Sequence, residues 1–307
     1  MDLKLLENIV AVAEERSISR AAERLFISQP ALSQQISKLE AQLGTPLFFR
    51  GKQNLSLTQA GKVYVDHAIR ILNIRNDAYN QIYDIAASRK GSISIGVSPG
   101  RSPMIVSMVY AKFQKEFPDF TVQVFDYHCT MTEELLAQGR LDLGFSLLTD
   151  DEVSSKLPIS HIQLERQDMY LVASRNHPLA SRYHQGSKCP VIDLKLFRQE
   201  PFALPTKGAK IRCFADELFA LHGMNPVIHY EVFNVQAITA VVSRSKLCTI
   251  IPASFLPEDD NLIHFRLKPN RFMDFAICWN SNHHVTTAEQ YFIHLCQESY
   301  KQYRLLS

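Results

Sequence analysis

The chain has 307 residues and carries 33 Lys+Arg against 31 Asp+Glu, a formal net charge of +2, which argues against a histone-like binder of bulk polyanion. Hydrophobic residues at 46% and charged residues at 21% fit an ordinary globular protein and exclude a disordered one. No apolar run approaches the roughly 20 residues of a membrane span, and the charged start Met1-Asp2-Leu3-Lys4 is no secretory signal, so a cytoplasmic protein is expected.

Leu5, Leu6, Ile9, Val10 and Ala13 recur at helical spacing and predict a first amphipathic helix. Ser19 can cap a short second helix through Ala21, Ala22 and Leu25. Ser28 is the next cap candidate. Pro30 falls in the first turn of the helix that follows, where a missing N–H costs little. Leu32, Ile36, Leu39 and Leu43 form its apolar stripe, and Gly44 with Pro46 ends it. Its other face shows Gln29, Ser33, Gln34 and Ser37. A helix entering a major groove needs hydrogen-bonding groups without negative charge, and Gln can bond adenine in bidentate fashion. Two short helices with a tight turn between them predict a helix-turn-helix.

Residues 45–58 place short apolar pieces around Gly51-Lys52-Gln53-Asn54, which reads as a hairpin, or wing. Gln29, Pro30, Ser33 and Gln34 are the expected base-facing set, and the cap Ser28 and Lys38 are expected in the same DNA-binding surface. Arg50 and Lys52 are expected to sit at phosphates or the minor groove and supply affinity rather than discrimination. The charge is distributed accordingly. Residues 1–90 hold 12 basic and 9 acidic side chains, a balance of +3; residues 91–307 hold 21 and 22, a balance of −1.

The stretch SISRAAERLFISQPALSQQISKLEAQLGTPLFFRGKQNLSLTQAG resembles the DNA-binding signature of the LysR-type transcriptional regulators. Gln34 stands where that family very often has Arg, and Phe49 where it often has a charged residue. The resemblance implies a sequence-specific regulator that binds double-stranded operator DNA under control of a small-molecule effector.

Thr58 is placed to cap a long helix in which Tyr64, Ala68, Ile71, Arg75, Ala78, Ile82 and Ile85 form a heptad-like seam broken by Arg75. About 30 helical residues span roughly 45 Å. Such a seam needs cover, either from its own chain or from a second copy. The resemblance implies a linker-helix homodimer, often assembled into a homotetramer. Ala87-Ser88-Arg89-Lys90-Gly91 is the expected hinge. The domains are then 1–58, winged helix-turn-helix; 59–90, linker helix and hinge; and 91–307, effector-binding domain.

From Ser92 onward, strands and helices alternate, which predicts an α/β domain with largely parallel sheets. Strands are expected at 92–97, 121–125, 141–147, 169–174, 202–204, 227–232, 249–252, 262–267 and 273–280. Helices are expected at 103–117, 132–138, 209–222, 235–243 and 287–303. By the same resemblance the domain is two-lobed and similar to periplasmic binding proteins, with one lobe about 91–163 plus 268–302 and the other about 164–267. Ligands of such sheets bind beyond the carboxyl ends of strands, against helix N-termini. That rule selects Ser98, Pro99, Gly100, Arg101 and Ser102; Ser146; Thr206 and Lys207; and Phe233 and Asn234 as effector-binding candidates. Arg101, Lys207, Lys210 and Arg212 near these loops suit a carboxylate or other small anion.

No G-x-S-x-G, H-E-x-x-H or P-loop pattern marks an enzyme, and no fingerprint calls for a cofactor. Gly96-Val97-Ser98-Pro99-Gly100 mimics a nucleophile elbow, but Pro99 lacks the N–H an oxyanion hole needs. His283-His284 has no partner at metal-ligand spacing and reads as surface. The six cysteines contain no C-x-x-C pair, as suits reduced thiols. Cys213 reads as a packed helix residue. A thiol-based redox regulator using Cys213 is the alternative function, and a solute-binding protein is the alternative from another class.

Overall fold

The computed structural model describes residues 2–50, 55–86, 90–98, 101–149, 157–183 and 189–306; Arg50, Ile85, Arg101, Ser181, Arg182 and residues 302–306 are described in their backbone only. The chain divides into two compact units, Met1–Ser88 with Gln138–Arg140, and Arg89–Ala137 with Leu141–Ser307.

The first unit begins with α1 (Leu3–Glu15) and α2 (Ile18–Arg24). Ser17, not Ser19, caps α2: its hydroxyl accepts the Arg20 N–H, and Ser19 lies inside the helix. Both serines are good caps, and the one that sits next to the chain reversal takes the role. Phe26, at a left-handed φ of 54°, makes the turn into α3 (Gln29–Leu43). Ser28 caps α3 through the Ala31 N–H, Pro30 sits in its first turn, and Gly44 closes it at φ 68°. The expected hairpin is present as antiparallel β1 (Phe48–Arg50) and β2 (Leu55–Leu57), with Phe48 opposite Leu57. Ile9, Val12, Ala21, Leu32, Ile36, Leu47 and Phe48 share one core.

Thr58 caps α4 (Gln59–Ile85), its hydroxyl accepting the Gly61 N–H at 2.9 Å. Of the expected seam of α4, Ala68 is buried, Tyr64, Ile71 and Arg75 are half-buried, and Ala78 and Ile82 are exposed. Val65, Ala68 and Ile69 are buried in the core of this unit, and Arg75 donates to Glu7 of α1 at 2.8 Å. In the outer half of the helix, Ile74, Tyr79, Ile82 and Tyr83 are exposed.

The second unit contains β3 (Lys90–Val97), α5 (Arg101–Glu116), β4 (Asp119–Asp126), α6 (Cys129–Ala137), β5 (Leu143–Leu148) and β6 (Ile159–Ser174). Then follow β7 (Val191–Asp193), β8 (Pro201–Leu204), α7 (Lys210–Leu221), β9 (Val227–Glu231), α8 (Val235–Val242) and β10 (Cys248–Pro252). The chain ends with β11 (Leu262–Lys268), β12 (Phe272–Asn280) and α9 (Thr287–Leu306). One lobe is built on the strand order β4-β3-β5-β12-β6 and the other on β7-β11-β6-β10-β8-β9.

Strand β6 belongs to both lobes. Ile159–Asp168 pairs with β12, and Met169–Ser174 pairs with β10 and β11. The pairing with β12 carries on past position 164, where the sequence placed the crossing, as far as Asp168. The sheets are mixed rather than largely parallel. β3 with β4 and β5, β8 with β9 and β10, and β7 with β11 are parallel, whereas β6 and β12 run antiparallel to their neighbours. A strand that carries the chain from one lobe to the other has no helical crossover to set it parallel.

The packing of α6 on its sheet depends on glycine. A Cβ on Gly144 would lie 2.4 Å from Thr132 Cγ2, so only a bare backbone lets the helix approach.

Candidate functional site

Two surfaces carry chemistry, one in each unit. In the first, α3 buries Leu32, Ile36 and Leu39 and turns Gln29, Pro30, Gln34, Ser37 and Lys38 to solvent, with Ser28 exposed at its cap and Ser33 half-buried. No acidic residue lies in its first turn. Gln29 is held in place by the Ser19 hydroxyl, which donates to its Oε1 at 3.2 Å. Gln35 faces the other way and accepts from the buried Asn8 amide at 2.7 Å. The one acid between positions 28 and 62 turns inward: Glu40 Oε1 accepts the backbone N–H groups of Leu47 and Phe48 at 2.7 and 3.1 Å. Arg50 ends β1 beside the wing turn. Lys52 lies outside the described residues.

In the second unit, a cavity open to solvent lies between the lobes. Ser98, Phe233 and Asn234, three of the expected residues, line it. Asn234 also caps α8, its Oδ1 accepting from Gln236 and Ala237. Pro99 and Gly100 lie outside the described residues, and the side chain of Arg101 is not described.

Four expected residues do not line the cavity. The Ser102 hydroxyl closes the β3–α5 junction, donating to the Ser98 carbonyl at 2.9 Å. Ser146 is fully buried and donates to Glu133 Oε1 at 2.5 Å. Thr206 is half-buried and Lys207 exposed, while their neighbour Pro205 faces the void.

Further residues line the cavity, among them Ala209 and the polar Gln236 at the starts of α7 and α8. His128 and Cys129 follow β4, so the strand-end rule could have selected them. Leu147, Ile211, Val235 and Phe255 are apolar and carried no signal. His128 packs against Phe233, with ring centroids 5.6 Å apart.

Two of the basic residues near the cleft, Lys210 and Arg212, are already engaged. Lys210 Nζ of α7 lies 2.9 Å from Glu133 Oε2 of α6, linking the two lobes. Arg212 is buried and donates to Asp216, to the Pro205 carbonyl and to Glu231. The Arg212 guanidinium holds the Glu231 carboxyl below its ordinary range. A further contact across the cleft is the Thr130 hydroxyl donating to the Gly208 carbonyl at 3.0 Å.

The thiols divide sharply. Cys213, expected to be packed, is exposed, because it falls between the buried positions Arg212 and Phe214 on the outer face of α7. Cys129, Cys248, Cys278 and Cys296 are buried, and burial pushes their thiols up. His283, read as surface, is half-buried, and its Nε2 meets both Glu289 carboxylate oxygens at 3.0 Å. Asp142 joins them, the ligand atoms lying within 4.8 Å of one another. Hydrogen bonds account for both carboxylates: Asp142 takes the Ser94 N–H and hydroxyl, and Glu289 takes the Thr286 N–H as a helix cap. Among the described residues, no helix is long and apolar enough to cross a membrane.

Residues 3–62 match the family described as bacterial regulatory helix-turn-helix protein, lysR family, and residues 86–301 match the LysR substrate binding domain. The chain belongs to the LysR family. Among LysR relatives, the HTH-type transcriptional regulator YnfL of Escherichia coli is 30% identical over 302 residues, covering 96% of this chain and 98% of the relative. A full-length OxyR variant from Pseudomonas aeruginosa shares the fold with a TM-score of 0.68 at 21% identity, over 98% of this chain and 95% of its own. Full-length CbnR, solved in complex with its target DNA, shares it at 0.62 and 23% identity, over 97% and 100%. The protein is thus a LysR-type transcription regulator, with a helix-turn-helix for DNA and an effector-binding domain.

Proposed function

We propose that this LysR-type regulator reads its operator through the first turns of α3. Gln29, Pro30, Ser33 and Gln34 face bases, while Lys38, Arg50 and Lys52 hold phosphates. The exposed, acid-free start of α3 carries this reading. Phosphate contacts position a reader, and uncharged hydrogen-bonding side chains discriminate among bases. Residues 1–58 form the reader, 59–90 the linker, and 91–307 the sensor.

Two copies pair through the outer half of α4, where Ile74, Tyr79, Ile82 and Tyr83 are exposed. A symmetric dimer presents two reader helices to a partly palindromic site. The effector enters the interlobe cavity and shifts the population between two arrangements of the lobes, and so of the reader heads. The protein acts in the cytoplasm and carries out no catalysis of its own.

A gel shift with the DNA upstream of the protein's own gene tests the reading. A retarded complex is expected, altered by extracts containing small metabolites. Complete absence of a complex under both conditions would sink it.

A further inference from the structure

The interlobe cavity is walled mainly by carbon. Leu147 comes from one lobe, and Ile211, Val235 and Phe255 come from the other. Lys210 is the one Lys or Arg among its described lining residues. Its charge is already neutralised inside the wall, 2.9 Å from Glu133, with the two side chains only 9% and 8% exposed. Glu133 is saturated in turn, because Ser146 donates to its other oxygen at 2.5 Å.

This arrangement restricts the charge of a ligand. An anion seated against Lys210 competes with Glu133 for its ammonium, and a buried carboxylate robbed of its cation is strongly unfavourable. An uncharged ligand leaves the pair whole and removes apolar wall from water. The sequence pointed toward an anion on Arg101, Lys207, Lys210 and Arg212, and it does not show the carboxylates that meet Lys210 and Arg212.

We infer that the cleft takes an uncharged, largely apolar small molecule, and that Glu133 is the group that turns organic anions away. The inference rests on the cleft being the effector site.

Matched probes that share a shape and differ in charge test it on the full-length protein. Isothermal titration is run with benzamide against benzoate and phenylacetamide against phenylacetate. At least one amide is expected to bind the wild type about tenfold or more tighter than its carboxylate partner. Glu133→Gln frees Lys210 and should reverse that preference. The double variant K210M/E133Q, with no charge left in the wall, should favour the amide again, which separates charge selection from a folding defect. Carboxylates that bind the wild type as tightly as amides would overturn the inference. So would an unchanged preference in E133Q, or no binding of either amide. The same preparations are assayed for operator binding, so a failure of the regulator reading shows separately as a lost gel shift.

Discussion

Glu40, near the end of the reader helix α3, accepts the Leu47 backbone N–H at 2.7 Å, and the same oxygen takes the Phe48 N–H at 3.1 Å. The wing strand therefore hangs from the helix it must cooperate with, and the one acid between positions 28 and 62 turns inward. Glu40→Ala leaves two backbone donors short of an acceptor and should cost about 1–3 kcal/mol in a urea melt. It should also weaken operator binding by misplacing the wing. Glu40→Gln keeps an accepting oxygen and should recover most of both losses.

Gly61 in the first turn of α4 permits another close approach. A Cβ there would stand 2.0 Å from the Leu47 carbonyl oxygen. Gly normally weakens a helix by about 1 kcal/mol relative to Ala, so Gly61→Ala would stabilise an unconstrained helix. Here the clash is with backbone, and the substitution should instead destabilise by several kcal/mol, on the order of the larger point-mutant effects. A thermal melt that rises would show that α4 can shift to accept the methyl group.

The reader face predicts two separable kinds of loss. Gln29→Ala should cost about 1–3 kcal/mol on the operator and less on random DNA, as expected for a base contact. Lys38→Ala should weaken both alike and lower the slope of log affinity against log salt by about 1. Gln34→Arg should raise that slope by a similar amount. Competition titrations at several salt concentrations distinguish these outcomes, and equal losses for Gln29→Ala on both DNAs would remove it from base readout.

Much of the reader was legible in the sequence because its signals are local. Ser28, Pro30, Gly44 and Thr58 each act within one helical turn, and each is found in its expected role. The choice between Ser17 and Ser19 was not legible, since both can cap and only the turn geometry decides. The first half of β6 was missed because Gln163, Glu165, Arg166 and Asp168 disfavour a strand. Their partners lie far along the chain: Gln163 and Arg166 bond Asp274, and Tyr300 donates to Glu165. The same distance hid the pairing of Lys210 with Glu133. Loop residues could be nominated for the cleft, but which side chains face the void depends on how two lobes meet.

Acid should act on the α1–α4 contact. The hydrogen bond from Arg75 holds the Glu7 carboxyl below its ordinary value of 4.5. A carboxyl depressed in the folded state adds stability that is fully present above its unfolded value and is lost as pH falls through its folded value. The Glu7 side chain is 31% exposed, so solvent screening limits the contribution to about 1 kcal/mol or less. Glu7→Gln should therefore lower stability slightly at neutral pH and converge with the wild type below the depressed value. Parallel denaturation curves at neutral and low pH check this, and a gap that persists in strong acid would rule out the charge as its source.

Thiol labelling tests whether Cys213 senses anything. Thiolate, not thiol, is the nucleophile, and burial raises the thiols of Cys248, Cys278 and Cys296 well above their ordinary range. In the folded protein Cys213 should react first with a maleimide, and those three only after unfolding. Exposure alone makes a thiol modifiable but not a switch. The basic neighbours that could activate it are turned elsewhere, Lys210 to Glu133 and Arg212 to Asp216 and Glu231. Modified protein and Cys213→Ser are therefore expected to bind the operator as the wild type does. A large change in affinity on mild oxidation, abolished by Cys213→Ser, would establish the redox reading in place of an effector bound in the cleft.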